Sequence, residues 1–184
     1  ADASMEEASL NKLKIICEKL ELKETDHLVE IGTGWGGLAI YAAKNYGCKV
    51  TTTTISQEQF NLAQQRVKEE GLEDKITLLL EDYRDLKKVY EGQFDKLVSI
   101  EMIEAVGWKF YNTFFSHCAA LLKPDGIALI QAITITDQRY DQARKDVDFI
   151  QRYIFPGSCI PSVTALVSLK LKYIFPDKSL ARYF

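Results

Sequence analysis

Leu28-Val29-Glu30-Ile31-Gly32-Thr33-Gly34-Trp35-Gly36-Gly37 decides the fold of this 184-residue chain. The first residues read as a short apolar strand over 28–32. It runs into a glycine-rich turn, and a helix is predicted over about 35–46. Glycines at 32, 34 and 36 carry no Cβ, so the turn can be tight and a ligand can lie against the backbone. The first N–H groups of the following helix have no partner within it and point into the turn.

Two ligands with nucleotide parts suit such a turn. Gly32, Gly34 and Gly37 fit G-x-G-x-x-G, so a dinucleotide is one reading. Glu30 weighs toward the other. A carboxylate two residues before the first glycine repels a pyrophosphate but suits the ammonium and sulfonium of S-adenosylmethionine (SAM). The dinucleotide pattern also wants an acid about 20 residues on, where this chain has Val50-Thr51-Thr52-Thr53-Thr54. SAM is therefore favoured. The bland alternative is a turn that binds nothing, for which one glycine would be enough.

Outward from this stretch the chain alternates. Upstream, Ser4-Met5-Glu6-Glu7 has the form of a capping box, and Leu10, Leu13, Cys17 and Leu20 make a helical stripe over about 5–21. Downstream, Gly47 stands where a helix-ending glycine belongs. Lys49 to Ile55 is a β-branched strand. Ser56-Gln57-Glu58-Gln59 opens a helix that buries Phe60, Ala63 and Val67 and ends at Gly71. Strands are expected at 76–80 and 95–100, and a helix at 111–122. A turn at Lys123-Pro124-Asp125-Gly126 follows, then a fifth strand over 127–135 and a helical stretch over about 139–153. Pro156-Gly157 breaks the chain. Alternation of Val167, Leu169, Leu171, Tyr173 and Phe175 with Ser168, Lys170, Lys172 and Ile174 predicts a half-buried strand. Strands alternating with helices give an α/β fold, a mostly parallel doubly wound sheet. Right-handed crossovers put the ends of the first four strands along one edge, where ligands bind in such sheets.

Composition narrows the classes. A net charge of −3 gives no nucleic-acid-binding face. No apolar run approaches the roughly 20 residues of a membrane span, and no signal peptide opens the chain. Cys17, Cys48, Cys118 and Cys159 are scattered without a C-x-x-C pair, which argues against a metal site and a disulfide framework and for free thiols in a reducing cytoplasm.

Each predicted strand end carries chemistry. Thr54, Ser56 and Gln59 offer hydroxyls and an amide to ribose hydroxyls, or else cap their helix. Glu81-Asp82-Tyr83-Arg84-Asp85 places an acid for an adenine amino group and a ring for stacking, or else is a solvated charge cluster. After the fourth strand, Glu101 and Glu104 stand three residues apart, as on one helical turn. Beyond them Trp108, Phe110, Tyr111, Phe114 and Phe115 are either core or an apolar pocket whose ring faces stabilise a cation.

These motifs, with Phe149-Ile150-Gln151-Arg152-Tyr153-Ile154-Phe155-Pro156-Gly157 and Met5-Glu6-Glu7-Ala8, resemble the cyclopropane-fatty-acid synthase family, which includes the mycolic acid cyclopropane synthases. The match runs from about Ser4 to Ser162. The glycine turn is common to many methyltransferases. The 54–59, 101–107 and 153–157 stretches are more specific. The resemblance implies a Rossmann-like class I methyltransferase, one domain over 1–184, as the core of a longer family protein whose N-terminal segment and C-terminal end lie outside the match. It implies methylene transfer from SAM across a cis double bond of a phospholipid acyl chain, a cytoplasmic protein in transient contact with the membrane surface, and a homodimer. Cofactor contacts carry over to Glu30, Ile31, Gly32, Thr33, Gly34, Trp35 and Gly36, to Thr54, Ile55 and Gln59, and to Asp82 and Tyr83. The family's bound bicarbonate, which acts as the base, is held by positions matching Glu104, Ile133 and Gln131; the last is a histidine in the family. Two other readings stay open: methyl transfer to a small polar acceptor, and a SAM-binding core without turnover. His117, mid-helix and away from every strand end, supplies no general base for the first of these.

Overall fold

The computed structural model describes residues 4–147 and 149–173. In chain order its elements are α1 (Met5–Lys19), β1 (His27–Ile31), α2 (Gly37–Tyr46), β2 (Lys49–Thr54), α3 (Gln57–Glu69), β3 (Ile76–Leu80), α4 (Tyr83–Tyr90) and β4 (Phe94–Ile100). There follow α5 (Ile103–Val106), a 3₁₀ turn (Trp108–Phe110), α6 (Tyr111–Leu121), β5 (Leu122–Gln131), α7 (Asp137–Ala143), a π-helical turn (Ile150–Ile154) and α8 (Val163–Tyr173). The chain divides into two compact units: one running to Ser99 together with Leu121–Ile130, the other Ile100–Ala120 with the chain from Gln131 onward.

The first unit is built on a sheet of strand order β3-β2-β1-β4-β5, with β1 parallel to both β2 and β4 and β2 parallel to β3. Helices flank both faces, the doubly wound α/β architecture expected from the alternating pattern. Leu28, Val29 and Ile31 of β1 are buried, as are Leu97 and Val98 of β4 and Leu38, Ala39 and Ala42 of α2. In β2 the threonine run is buried despite its hydroxyls, because each hydroxyl has a partner. Thr51 pairs with His27 Nε2 at 2.9 Å, Thr52 donates to Glu30 at 2.7 Å, Thr53 donates to the Glu81 carbonyl, and Thr54 donates to Gln59 at 2.7 Å. β-Branched residues favour the strand, and satisfied hydroxyls remove the cost of burying it. α1 has the capping box expected of Ser4 and Glu7. Its stripe is buried only toward the end, at Ile16, Cys17 and Leu20, while Leu10 is exposed.

In the second unit Tyr111, Phe114, Phe115 and Cys118 of α6 are buried, as are Ile103 and Cys159. Gly107, at φ 79°, is held tightly: a Cβ there would lie 2.5 Å from the carbonyl oxygen of Gly157.

The structure corrects several expectations. Residues 167–173 belong to α8 rather than to a strand, and 174–175 lie outside the described residues. The deciding signal is at the helix start, where Ser162 accepts from the Ala165 N–H and Asp137 takes both the N–H and the hydroxyl of Thr164. A capped N-terminus outweighs an alternation that a helix also tolerates. β5 begins at Leu122, so the expected Lys123–Gly126 turn is part of it, and it ends at Gln131 instead of 135. Lys123 is tied to Asp95 of β4 at 2.6 Å, and Gly126 fits because a Cβ would meet the Leu122 side chain at 2.9 Å. The helix expected over 139–153 is two short pieces, α7 and the π-helical turn. Asp82, read as a loop residue, caps an unforeseen helix, α4, through the Arg84 N–H at 2.9 Å.

Gly107→Ala is expected to cost at least about 2 kcal/mol, from left-handed backbone plus the clash with Gly157. Gly71→Ala, at φ 64° with open space around the added carbon, should cost only about 1 kcal/mol. Denaturant titration of both variants checks the ranking.

Candidate active site

β1 delivers the glycine turn. Gly32, Gly34 and Gly36 adopt φ of 103°, 53° and 81°, all in the left-handed half of the map. Gly36 also packs closely, since a Cβ there would lie 3.1 Å from Ala63 of α3. At Gly34 an added Cβ would meet nothing within 4 Å. Gly36 therefore serves the fold, whereas the bare side of Gly34 faces open space. Two bonds to the Thr53 carbonyl, from the N–H groups of Gly32 and Thr33, fasten the turn to β2. The Trp35 carbonyl accepts from Arg66 at 2.7 Å, and its ring is half exposed.

Glu30 is 3% exposed. Its carboxyl accepts from Thr52 Oγ1 at 2.7 Å, and Thr52 Oγ1 lies 2.7 Å from Thr33 Oγ1. The carboxyl is thus the anchor of a hydroxyl chain that reaches into the turn. Burial pushes its pKa up to about 8, against a smaller lowering by the Thr52 hydrogen bond. Ile31, next in the strand, is buried.

At the end of β2, Thr54 donates to Gln59 Oε1, and Ser56 caps α3 by accepting from the Gln59 N–H at 3.3 Å. The Gln59 amide therefore keeps its NH₂ end for other acceptors. Ile55 is 80% exposed, an unusual position for so apolar a side chain. At the end of β3, the Asp82 carboxylate caps α4 and also pairs with Arg84 at 2.6 Å. Tyr83 is the first residue of that helix. All these predicted cofactor residues lie in the first unit.

Glu104, Gln131 and Ile133 lie in the second unit. Glu104 Oε1 accepts the Ile133 backbone N–H, while Oε2 is buried with no hydrogen-bond partner among the described residues. Gln131 is held by Glu101: its Nε2 donates to Glu101 Oε1 at 2.7 Å. The two glutamates do not share a helical turn as expected, because α5 begins at Ile103 and Glu101 takes φ 51°. Sequence reasoning did not foresee the clamp on Glu104. The Cys159 N–H donates to the Glu104 carbonyl at 2.9 Å, and Tyr111 donates to the Cys159 carbonyl at 2.6 Å. Burial pushes the Tyr111 hydroxyl well above its ordinary range. The one available signal was a tyrosine on an otherwise apolar helix face. Of the aromatic set, Tyr111, Phe114 and Phe115 are core, while Trp108 and Phe110 are exposed. His117 is tied to the Thr113 carbonyl of its own helix at 2.8 Å.

A parallel doubly wound sheet with a three-glycine left-handed turn after its first strand is the architecture of the Rossmann-like class I SAM-dependent methyltransferases. Known proteins agree. A family model for mycolic acid cyclopropane synthetase matches residues 1–180. The chain is 48% identical over 161 residues to the cyclopropane-fatty-acyl-phospholipid synthase of Escherichia coli K12, covering 87% of this chain and 39% of that protein. It is 39% identical over 162 residues to the tuberculostearic acid methyltransferase UfaA1 of Mycobacterium tuberculosis, covering 88% and 37%. Among solved structures, mycolic acid cyclopropane synthase CmaA1 complexed with SAH and CTAB aligns with TM-score 0.81 and 27% identity over 94% of this chain and 62% of that one. The cyclopropane synthase MmaA2 from Mycobacterium tuberculosis aligns with TM-score 0.80 at 26% identity, again over 94% and 62%. The chain belongs to the mycolic acid cyclopropane synthetase family, as its motifs led us to expect. It spans about two fifths of the length of the curated relatives it matches.

Glu30 sets a pH dependence. Its folded pKa is raised, so between about 4.5, its ordinary value, and about 8 the folded state holds a proton that the unfolded chain releases. Stability should fall as pH rises through that window. Glu30→Gln should remove this component, which denaturant titrations at pH 5, 6.5 and 8 will detect.

Proposed function

We propose that this chain is the methyltransferase domain of an enzyme that transfers a methylene group from SAM across a cis double bond of a lipid acyl chain, releasing S-adenosylhomocysteine and a proton. The observation that carries the reading is the buried, unpartnered Oε2 of Glu104 beside its hydrogen-bonded Ile133 N–H. A buried acceptor oxygen without a donor is costly unless a ligand supplies one, and the O–H of bicarbonate would do so.

The first unit fits the cofactor. The open side of Gly34 lets a ligand lie on the backbone. Thr54 and Gln59 would hold the ribose hydroxyls, Ile55 would cover the adenine ring with apolar surface, and Asp82 and Tyr83 would bound its far edge. Glu30 stands behind the turn, where the ammonium of a bound SAM would favour its ionised form. Bound there, SAM supplies an electrophilic methyl group on sulfur. An alkene has no proton to lose before it attacks, so no histidine is needed to activate it. After transfer, one proton must leave the new methyl group as the ring closes. Glu104, Ile133 and Gln131 would hold bicarbonate, which supplies the base for that step. The residues orient the base and keep water away; a dry surrounding protects an electron-poor carbon from hydroxide.

A lipid substrate implies contact with the bilayer surface. Among the described residues no helix is long and apolar enough to cross a membrane. Exposed Phe110, Phe149 and Phe155 in the second unit are side chains suited to apolar contact.

The test is incubation of the gene's complete polypeptide with methyl-labelled SAM and vesicles of cis-unsaturated phospholipid, followed by mass spectrometry of the acyl chains. Acyl chains one CH₂ heavier, with the double bond lost, are expected. Glu104→Gln should lower turnover by about 100-fold with SAM binding retained. Gly34→Ala should abolish SAM binding in calorimetry at a stability cost of only about 1 kcal/mol. Labelled product on a small polar acceptor, with unmodified lipid, would overturn the reading.

A further inference from the structure

Among the described residues, Glu21 and Glu101 are the non-glycine residues with positive φ, at 52° and 51°. Glu21 has a local explanation. It follows the last turn of α1, where the Leu22 N–H returns to the Cys17 carbonyl at 3.2 Å, an ordinary left-handed helix end. Glu101 ends no helix. It stands immediately after β4, in a conformation that disfavours any residue with a Cβ. A strained residue persists where the surroundings hold it, and such residues cluster at functional sites.

Gln131 holds Glu101 through two bonds. The Glu101 N–H donates to the Gln131 carbonyl at 2.8 Å, and Gln131 Nε2 donates to Glu101 Oε1 at 2.7 Å. The second bond settles an ambiguity. An amide's oxygen and nitrogen ends are nearly the same size, so an unconstrained glutamine can present either. An ionised carboxylate only accepts, so it draws the nitrogen end toward itself and disfavours the flipped form by charge repulsion.

We infer that Glu101 is a positioning residue: it locks the Gln131 amide in one of its two orientations, so that Gln131 meets the anionic base with its second N–H and not with its carbonyl oxygen. This inference rests on the proposed function and deepens it. Glu104 offers the base an acceptor, so the base's oxygens need donors, and Gln131, unlike a histidine, can carry no charge to provide one. A fixed amide is the remaining way to make position 131 a dependable donor.

The test uses Glu101→Gly and Glu101→Gln in the gene's complete polypeptide, with sodium bicarbonate as the probe. Glu101→Gly should raise the unfolding midpoint, because glycine relieves the left-handed strain, yet lower kcat and weaken the bicarbonate dependence of the rate about ten-fold, the value of one charge-assisted hydrogen bond. Glu101→Gln can meet Gln131 with either end of its own amide, so it should recover only part of the rate lost in Glu101→Gly. A merely structural role would move stability and rate in the same direction. Wild-type rate in Glu101→Gly, or equal losses in both variants, would overturn the inference. A second readout needs no turnover: the side-chain ¹⁵N–H₂ resonances of Gln131 should shift on the glycine substitution and lose their response to bicarbonate. Unchanged resonances would overturn the inference even in an active enzyme. An inactive wild type that shows the expected resonance shift would instead count against the proposed function alone.

Discussion

The first unit depends on one buried carboxyl. Glu30 lies in the middle of a parallel sheet, paired in register with Thr52 on one side and Val98 on the other. A charge there would be expensive, and the fold responds in two ways: a hydroxyl chain from Thr52 to Thr33, and a pKa raised so that the proton stays on at neutral pH. The chain also does geometric work. It joins strand β1, the glycine turn and strand β2 through side chains, in addition to the backbone bonds from Gly32 and Thr33 to the Thr53 carbonyl. The turn is therefore rigid where it would otherwise be floppiest, because three glycines in positive φ carry a large entropy cost on ordering.

Much of this was legible in the sequence because the first unit obeys local rules. Ser4 and Glu7 form the box their spacing announces, Gly47 closes α2 in a left-handed conformation, and Ser56 caps α3. What the sequence hid were features decided by tertiary partners. The Val167–Phe175 alternation suggests a strand, but Ser162 and Asp137, 25 residues apart in the chain, cooperate to start a helix. Lys123–Gly126 has the composition of a turn, yet the ion pair to Asp95 keeps Lys123 beside β4. Neither partner can be inferred from a window of neighbours.

The site residues divide the same way. Their identities came from motif matching, and the structure brings Glu104 to Ile133 and Gln131 to Glu101. Their supports were invisible. Nothing in the spacing of Tyr111 and Cys159 says that one hydroxyl holds the other's carbonyl, or that Cys159 in turn holds the backbone of Glu104. A cysteine read as a free thiol proves useful through its main chain. The close approach of Gly107 to the Gly157 carbonyl likewise gives physical meaning to two glycines that the sequence shows only as motif members.

This pattern of supports bears on the chemistry. In the second unit the polar groups near Glu104 are matched with one another: Tyr111 with Cys159, Cys159 with Glu104, Ile133 with Glu104, and Glu101 with Gln131. On the proposed reading the site handles an electron-poor carbon and gains from such pairing, since each satisfied group is one less reason for water to remain. A nitrogen or oxygen methyltransferase has the opposite need, a base to take the proton of a polar acceptor, and here the histidine of α6 spends its Nδ1 on its own helix. The exception that matters is the buried Oε2 of Glu104. Among the described residues it is one of two buried side-chain atoms without a partner, the other being Arg144 Nε, and on the proposed reading it is where the O–H of a bound bicarbonate would donate.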